Sequence, residues 1–447
     1  MARRLQGLIP TFFASQFLAQ TVAVLDVLPL AAGLTASAAG KAVKGSVQPG
    51  THLAGVIPSA ATPTSSLPCP LEAGWEALLT LRLPRVDRSG RPSGGFSAAA
   101  YDPNSDTLQL LSDAPNGFVQ RWGGLRALVA AAAKGQTGPL PSLQPRDVLP
   151  LRSGQARLPK EMDGEGLVPL GADLWVASEG RRNASRPAQL LRFDAATGEL
   201  RQALEMPAAW QPAPGRGLEE NKGPESLALW RRAGKADTLL MASETALLQD
   251  PVGQARLLRW ELSASGAVAH SLRSLALPGG GLWSLTELLV LPEHRGGGGL
   301  LALLRRFEQP GGWGGRLLLY PSPAPISKAP SLAAKAASRA STPMPPASPA
   351  AASTNVGSVN PIGPMPPIQG WDLLARGPGN TGLPADNWEG MSWGPTLADG
   401  RASLLLVTDD NFNPFQSNLL AVLAPRRLAN CPAKGNRSSR RSAADIL

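Results

Sequence analysis

The sequence predicts an all-β fold made of short strands that recur along most of its 447 residues. Short apolar runs bounded by Gly, Pro and Asp are typical of buried strands. The chain contains 48 Gly and 44 Pro, which supply the many turns that such strands need. These observations favour an all-β domain over a helical one.

A two-part phrase recurs along the chain, in which an acid opens one strand and a second strand ends in a polar or acidic residue. The copies are marked by Glu165, Glu225, Glu287 and Glu389, with a weaker copy at 94–113. The first three acids lie about 60 residues apart, and a Pro/Ala/Ser-rich insert lengthens the last interval. A repeat of this length made of short strands predicts a single β-propeller of five or six blades.

The ends of the propeller are expected to meet. A strand within 71–84 has no acidic phrase before it, and it is expected to complete the last blade and remove the open edges of the ring. Cys69 precedes this strand and Cys431 follows the last one, so closure would allow a disulfide in an oxidising compartment. Two unrelated thiols are the alternative.

Outside the propeller, the composition predicts tails and linkers. Residues 1–40 combine a basic start, apolar stretches and small residues, which predicts a signal for export to the periplasm or the extracellular space, or an N-terminal anchor. Residues 41–70 have the composition of a linker. We assign 71–424 to the propeller, 321–370 to a long disordered insert within it, and 425–447 to a basic disordered tail.

The net charge of +10 belongs mainly to the segments outside the predicted strands. Residues 1–50, 321–370 and 425–447 carry the basic excess, so the propeller itself is close to neutral. No motif of a nucleic-acid-binding domain accompanies these charges. The sequence therefore does not support sequence-specific nucleic-acid binding, and beyond 1–40 no apolar stretch is long enough to span a membrane.

The recurrent acids are the main indication of function. Equivalent residues of successive blades lie at equivalent radii, so these carboxylates are expected to converge at one end of the central channel. Converging carboxylates must take up protons, pair with bases or bind a cation. Ca²⁺ accepts about six to eight oxygen ligands in flexible geometry and suits such a set. The predicted metal ligands are Asp163, Glu165, Glu225, Glu244, Glu389 and Asp409.

These phrases resemble the family described as esterase-like activity of phytase, over about 94–424. The best matches are 163–166 with 175–180, Glu244 with 248–250, and 387–391 with 408–412. The resemblance implies a phytase-like propeller, hydrolysis of phosphate esters or related esters, export and calcium dependence. Arg305 stands where the family usually has an acid, which removes a possible metal ligand and offers an anion-binding or salt-bridging group instead.

The expected activity is hydrolysis of a small phosphate monoester or diester by a metal-activated water. The residues predicted to take part in catalysis are Asp409, Asp410, Glu389 and Arg305. The alternative for each acid is a structural role, because acids at strand ends also accept backbone hydrogen bonds between neighbouring turns. The alternative for the whole chain is a non-catalytic propeller that binds a ligand or a protein through its loops.

Other hydrolytic mechanisms lack their motifs. No Gly-x-Ser-x-Gly sequence is present for a serine nucleophile, and no Cys/His cluster has the spacing of a zinc site. The three histidines lie in no motif of a general base. The acids therefore remain the candidates for any chemistry.

Overall fold

A computed structural model describes residues 71–427, with gaps at 88, 116, 137, 154–161, 184–185, 233–234, 264–265, 292–298, 310–311, 324–362 and 378. The predicted export signal (1–40), the linker (41–70) and the two cysteines lie outside the described residues. Most of the predicted insert and of the predicted tail lies outside them as well. The predictions for these segments stay predictions.

Twenty strands form five antiparallel four-stranded sheets, which settles the blade number at five. Blade one contains β2 to β5: Phe96–Asp102, Thr107–Ser112, Phe118–Gly123 and Gln144–Pro150. Blade two contains β6 to β9: Gly164–Leu170, Asp173–Ser178, Gln189–Asp194 and Leu200–Glu205. Blade three contains β10 to β13: Pro224–Trp230, Thr238–Ser243, Gln254–Ser263 and Gly266–Ala276.

Blade four contains β14 to β17: Ser284–Val290, Leu300–Glu308, Gly312–Tyr320 and Gln369–Asp372. Blade five contains β18 to β20, Trp388–Thr396, Ala402–Thr408 and Leu419–Pro425, together with β1, Trp75–Arg82. The one α-helix of the described residues, α1, spans Leu125–Ala133, and short 3-10 helices span Leu71–Ala73 and Pro278–Gly281.

The five sheets form a closed ring. The first strand of each blade contacts the first strand of the next, in the order β2, β6, β10, β14, β18 and back to β2. The predicted closure by the N-terminal strand is confirmed: β1 pairs antiparallel with β20, from Trp75 opposite Pro425 to Arg82 opposite Leu419. Blade five is therefore built from both ends of the described chain, which removes a free edge from β20.

The core lies between the blades. Five clusters of buried apolar side chains fill the five interfaces between neighbouring blades. For example, Phe193 of blade two packs with Val119 of blade one, and Trp75 of blade five packs with Leu317 of blade four. This continuous apolar packing fixes the blades against one another and so fixes the relative positions of the first strands.

The predicted insert separates the third and fourth strands of blade four, because β16 ends at Tyr320 and β17 begins at Gln369. The prediction of disorder up to residue 370 is wrong at its end, since residues 369–370 belong to β17 and pair with β16. At the other predicted boundary, Arg426 donates its backbone N–H to Gly74 and its side chain to the carbonyl of Trp75. The start of the predicted tail therefore packs on the closing strand.

Candidate functional site

The first strand of each blade carries a β-bulge near its start. One extra residue is left without a partner on the second strand at each bulge. A bulge redirects the side chain of the extra residue and increases the local twist, and bulges are common next to functional sites. The five bulged residues, in blade order, are Ser97, Glu165, Glu225, Thr286 and Glu389.

The bulge corrects one prediction. The sequence repeat aligned Glu287 with Glu165, Glu225 and Glu389, but the register of β14 with β15 makes Thr286 the equivalent residue. Glu287 is one residue farther along and faces the neighbouring blade, where it accepts a hydrogen bond from the backbone N–H of Leu227 at 3.2 Å. Glu287 is therefore part of a blade interface and not of the acid cluster.

A second recurrent position lies near the end of the second strand of each blade. It directly follows that strand in blades one, two, three and five, and in blade four it lies within the strand, opposite Ser284. In four blades its backbone N–H donates to the residue two places before the bulge, as Glu179 does to Asp163 at 2.9 Å and Asp409 to Asn387 at 3.0 Å. This hydrogen bond brings the second position next to the bulged residue of the same blade. The five residues at this position, in blade order, are Asp113, Glu179, Glu244, Arg305 and Asp409.

Because the five blades close into a ring, these positions converge at one end of it. Ligand oxygens of Asp163, Glu165 and Glu179 lie within 4.8 Å of one another, as do those of Glu179, Glu225 and Glu244. Glu179 belongs to both groups, so the carboxylates of blades two and three form one continuous cluster. We call this cluster and the neighbouring Asp113, Arg305, Glu389 and Asp409 the acidic mouth.

The carboxyl groups of the acidic mouth are buried and repel one another. Burial raises the pKa of Glu165 well above its usual range, and the carboxylates of Glu225 and Asp163 raise it further. Burial and the carboxylate of Glu244 do the same for Glu225. Burial, with the carboxylate of Asp163, raises the pKa of Glu179 to about 8, although the N–H of Gly223 opposes this shift. Ionisation of the cluster therefore costs free energy unless positive charge is present.

Three basic side chains supply part of that charge. Arg186 contacts Asp163 at 3.0 Å, and Lys222 contacts Glu244 at 2.7 Å. Arg305 lies 2.5 Å from Glu389 and 3.5 Å from Glu244. The guanidinium of Arg305 also donates a hydrogen bond to the side-chain oxygen of Asn387, at 2.9 Å.

These ion pairs do not reach every acid. Within the part of the chain that the structure describes, Glu165, Glu179 and Glu225 form no ion pair. The Oε2 atom of Glu244 is buried and has no hydrogen-bond partner there. An orphaned carboxylate oxygen beside three unpaired acids fits a hard divalent cation, whose preferred ligands are oxygens. The residues present therefore fit a divalent cation held by oxygen ligands.

Asp409 and Asp410 are adjacent in sequence but have different surroundings. Asp409 accepts the N–H of Asn411 at 2.7 Å, and burial with the nearby carboxylate of Glu389 raises its pKa well above the usual value. Asp410 turns away to accept the N–H of Gly95 at 2.9 Å and to pair with Arg85 at 3.2 Å. Asp409 therefore faces the acidic mouth, whereas Asp410 fixes its loop to blade one.

The structure thus places all the predicted metal ligands in the acidic mouth: Asp163, Glu165, Glu225, Glu244, Glu389 and Asp409. Sequence reasoning left Glu179 out of that set, although Glu179 links the two carboxylate groups. The sequence held a signal for it, because Ala-Ser-Glu occurs at 177–179 and again at 242–244. Sequence reasoning also left out Asn387, whose side-chain amide donates a hydrogen bond to Glu389 at 2.8 Å.

Comparison with known proteins identifies the family. Residues 91–412 match the phytase-like family described as esterase-like activity of phytase. This match covers more than half of the chain and includes the whole acidic mouth, so the protein is a member of that family. The resemblance seen in the sequence phrases is confirmed. No curated protein matches the sequence significantly.

Two solved structures are distantly similar to this chain. The Neurospora crassa Pan2 WD40 domain is 9% identical with a TM-score of 0.29, covering 80% of this chain and 97% of that chain. A chain of the S. cerevisiae Dbp5 complex with Nup159, Gle1, IP6 and ADP is 8% identical with a TM-score of 0.30, covering 78% and 95%. At these scores neither likeness bears on the function.

The described residues contain no helix with the length and apolar character needed to cross a membrane.

Proposed function

We propose that this protein is an exported hydrolase of small phosphate esters, and that its acidic mouth holds a calcium ion. The observation that carries this proposal is the set of unpaired acids on blades two and three, next to a buried carboxylate oxygen without a partner. Membership of the phytase-like family supports the hydrolase class. The calcium ion, the substrate and the export belong to the proposal.

Charge explains why a cation is needed at this site. A phosphate ester carries negative charge and is repelled by the carboxylates of the mouth unless positive charge is added. When bound, Ca²⁺ supplies that charge and promotes the ionisation of water. Glu165, Glu179 and Glu225 are the acids that would hold it, with Asp163 and Glu244 at the edges of the same cluster.

The other residues of the mouth act on the ester and on water. Arg305 has five N–H donors, more than its three contacts use, and its planar fork suits the oxygens of a phosphate. Asp409 and Glu389 are the candidates to accept the proton of the attacking water, because burial raises the pKa of each. Asp410 keeps the loop that begins at Asp409 in place.

The test is release of phosphate or p-nitrophenol from p-nitrophenyl phosphate and its diester, measured with calcium and then with a chelator. We expect hydrolysis with calcium and its loss on chelation. Glu165→Gln keeps the size of the side chain and removes the charge, and it is expected to lose most of the activity. Glu287→Gln is the matched control, because Glu287 is also a buried acid of a first strand but lies outside the mouth.

Two outcomes contradict parts of the proposal. Hydrolysis that survives chelation unchanged excludes a role for the calcium ion. No turnover of either ester, with calcium still raising the melting temperature, favours a non-catalytic propeller that binds a ligand or a protein. One observation favours that second function. Arg305 stands at a position where the other four blades have an acid, and its guanidinium neutralises Glu389.

Export is tested separately. Expression of the full chain followed by cell fractionation is expected to place the protein outside the cytoplasm, without residues 1–40. Recovery of the uncleaved chain in the cytoplasm would exclude export.

A further inference from the structure

The acidic mouth has one exception to its pattern of acids. The position that directly follows the second strand holds an acid in blades one, two, three and five, and the equivalent position of blade four, within β15, holds Arg305. The register supports this equivalence: Leu285 opposite Leu304 in blade four corresponds to Gly164 opposite Ser178 in blade two. A permanent positive charge thus replaces a carboxylate at one of five equivalent places.

The contacts of Arg305 join three blades. The guanidinium belongs to blade four, and it reaches Glu389 of blade five at 2.5 Å and Glu244 of blade three at 3.5 Å. It also donates to the side chain of Asn387 in blade five at 2.9 Å. The Arg305 side chain is only 18% exposed, so these charges interact with little screening by solvent.

The acids are therefore divided into two sets. Glu389 and Glu244 face the guanidinium of Arg305, whereas Glu165, Glu179 and Glu225 have no ion-pair partner among the described residues. A guanidinium does not exchange with solvent ions and keeps its charge throughout the physiological pH range. It can satisfy its carboxylates permanently, which a bound metal does only at a sufficient metal concentration.

We propose that Arg305 is a built-in counter-cation, which takes the place of a divalent ion between blades three and five and confines cation binding to blades two and three. The protein then binds one divalent ion, where an acid at this position would allow a second. In the metal-free protein, Arg305 joins the carboxylates of blades three and five to blade four. This inference rests on the cation site of the proposed function but not on hydrolysis.

The experiment measures calcium stoichiometry by titration calorimetry and melting temperature with and without calcium. Arg305→Glu restores the residue type found at Glu179 and Glu244. We expect it to bind one more calcium ion than the wild type and to show at least a twofold larger calcium-induced rise in melting temperature. Arg305→Lys keeps the charge and is expected to retain the wild-type stoichiometry.

Arg306→Gln is the matched control. Arg306 is the next residue on the same strand, so its side chain points to the other face of the sheet, where it contacts Glu308 at 3.0 Å and lies over Trp283. Its replacement is expected to change neither the stoichiometry nor the calcium-induced shift in melting temperature. If Arg306→Gln changed these two quantities as much as Arg305→Glu does, the effect would come from the loss of any positive charge and not from the position of Arg305.

The inference is overturned if Arg305→Glu binds as many calcium ions as the wild type, or if it loses equal stability with and without calcium. If Arg305→Glu folds only with calcium, the inference is supported. Arg305→Gln repeats the melting measurement with a smaller change of charge. The number of calcium ions that the wild type binds tests the cation site of the proposed function. The difference in this number between Arg305→Glu and the wild type tests the role of Arg305. Failure of the proposed function and failure of this inference are therefore distinguishable.

Discussion

The carboxylate of Glu287, on the first strand of blade four, accepts a hydrogen bond from the backbone N–H of Leu227, on the first strand of blade three, at 3.2 Å. The same oxygen accepts the N–H of Leu288 at 2.9 Å, and Glu287 is buried. This acid therefore joins two blades, while Glu225, two residues before Leu227, points into the acidic mouth. The recurrent acids thus have two different roles that the sequence repeat does not distinguish.

The first prediction concerns Glu287 and pH. Burial raises the pKa of Glu287 well above its usual value, although its two hydrogen bonds from backbone N–H groups oppose the shift. Between its unfolded pKa and its folded pKa, the folded protein binds more protons than the unfolded one, so its stability falls as pH rises. Glu287→Gln accepts the same hydrogen bonds but does not titrate, and it is expected to lose less stability than the wild type between pH 5 and pH 8.

Urea denaturation of the wild type and of Glu287→Gln, in chelator at pH 5 and pH 8, measures this difference in stability. The acids of the mouth titrate in both proteins, so their contributions to the pH dependence cancel in the comparison. Glu287→Leu serves as the second variant. It leaves two buried N–H groups without an acceptor and is expected to cost about 1–3 kcal/mol at either pH. An identical pH dependence of wild type and Glu287→Gln would show that Glu287 does not titrate in this range.

The second prediction separates Asp409 from Asp410. Asp409→Asn is expected to reduce the hydrolysis of esters, because Asp409 is a candidate to accept the proton of the attacking water. It is expected to keep the calcium-induced rise in melting temperature, because the acids that would hold the cation lie on blades two and three. Asp410→Ala removes the acceptor of the Gly95 N–H and the partner of Arg85, and it is expected to cost about 1–3 kcal/mol.

Thermal melting with and without calcium distinguishes the two variants. The loss of stability in Asp410→Ala should be the same in both conditions, since its contacts lie outside the cation site. If Asp409→Asn keeps the full hydrolysis of esters and loses stability to the same extent in both conditions, Asp409 has only a structural role.

The third prediction concerns the close approach of blades five and one. A Cβ at Gly390 would lie 3.0 Å from the backbone of Ala98 in blade one and 2.6 Å from the side chain of Val407. Gly390→Ala is therefore expected to destabilise the protein by about 1–3 kcal/mol, because the first strands must move apart. Gly138→Ala is the control, since no atom lies within 4 Å of its Cβ. Equal denaturation midpoints for the two variants would show that the first strands are not in tight contact at Gly390.

Much of the fold could be predicted because the length of the strands and their pattern of apolar and polar residues recur in the sequence. Short apolar runs about 60 residues apart indicated one blade each, and an unpaired strand before the first blade indicated closure of the ring. The pairing of β1 with β20 confirms that closure. The α-helix at Leu125–Ala133 also follows from local sequence, because its run of Ala and Leu favours a helix.

The candidate site was predicted less completely, and the reason is the bulge. A sequence repeat shows which residue types recur, but the one-residue shift that directs Thr286 and not Glu287 toward the mouth depends on strand register. The role of Glu179 depends in the same way on the distance between blades two and three. Contacts between blades are properties of the ring, and no single repeat contains them.

The central claim is that the unpaired acids of blades two and three form one cation site. Titration calorimetry with calcium, on the wild type and on Glu165→Gln, Glu179→Gln and the double variant, tests it directly. We predict that the wild type binds calcium, that each single variant binds at least about tenfold more weakly, and that the double variant does not bind. Undiminished calcium binding by the double variant, with its fold intact, would contradict the claim.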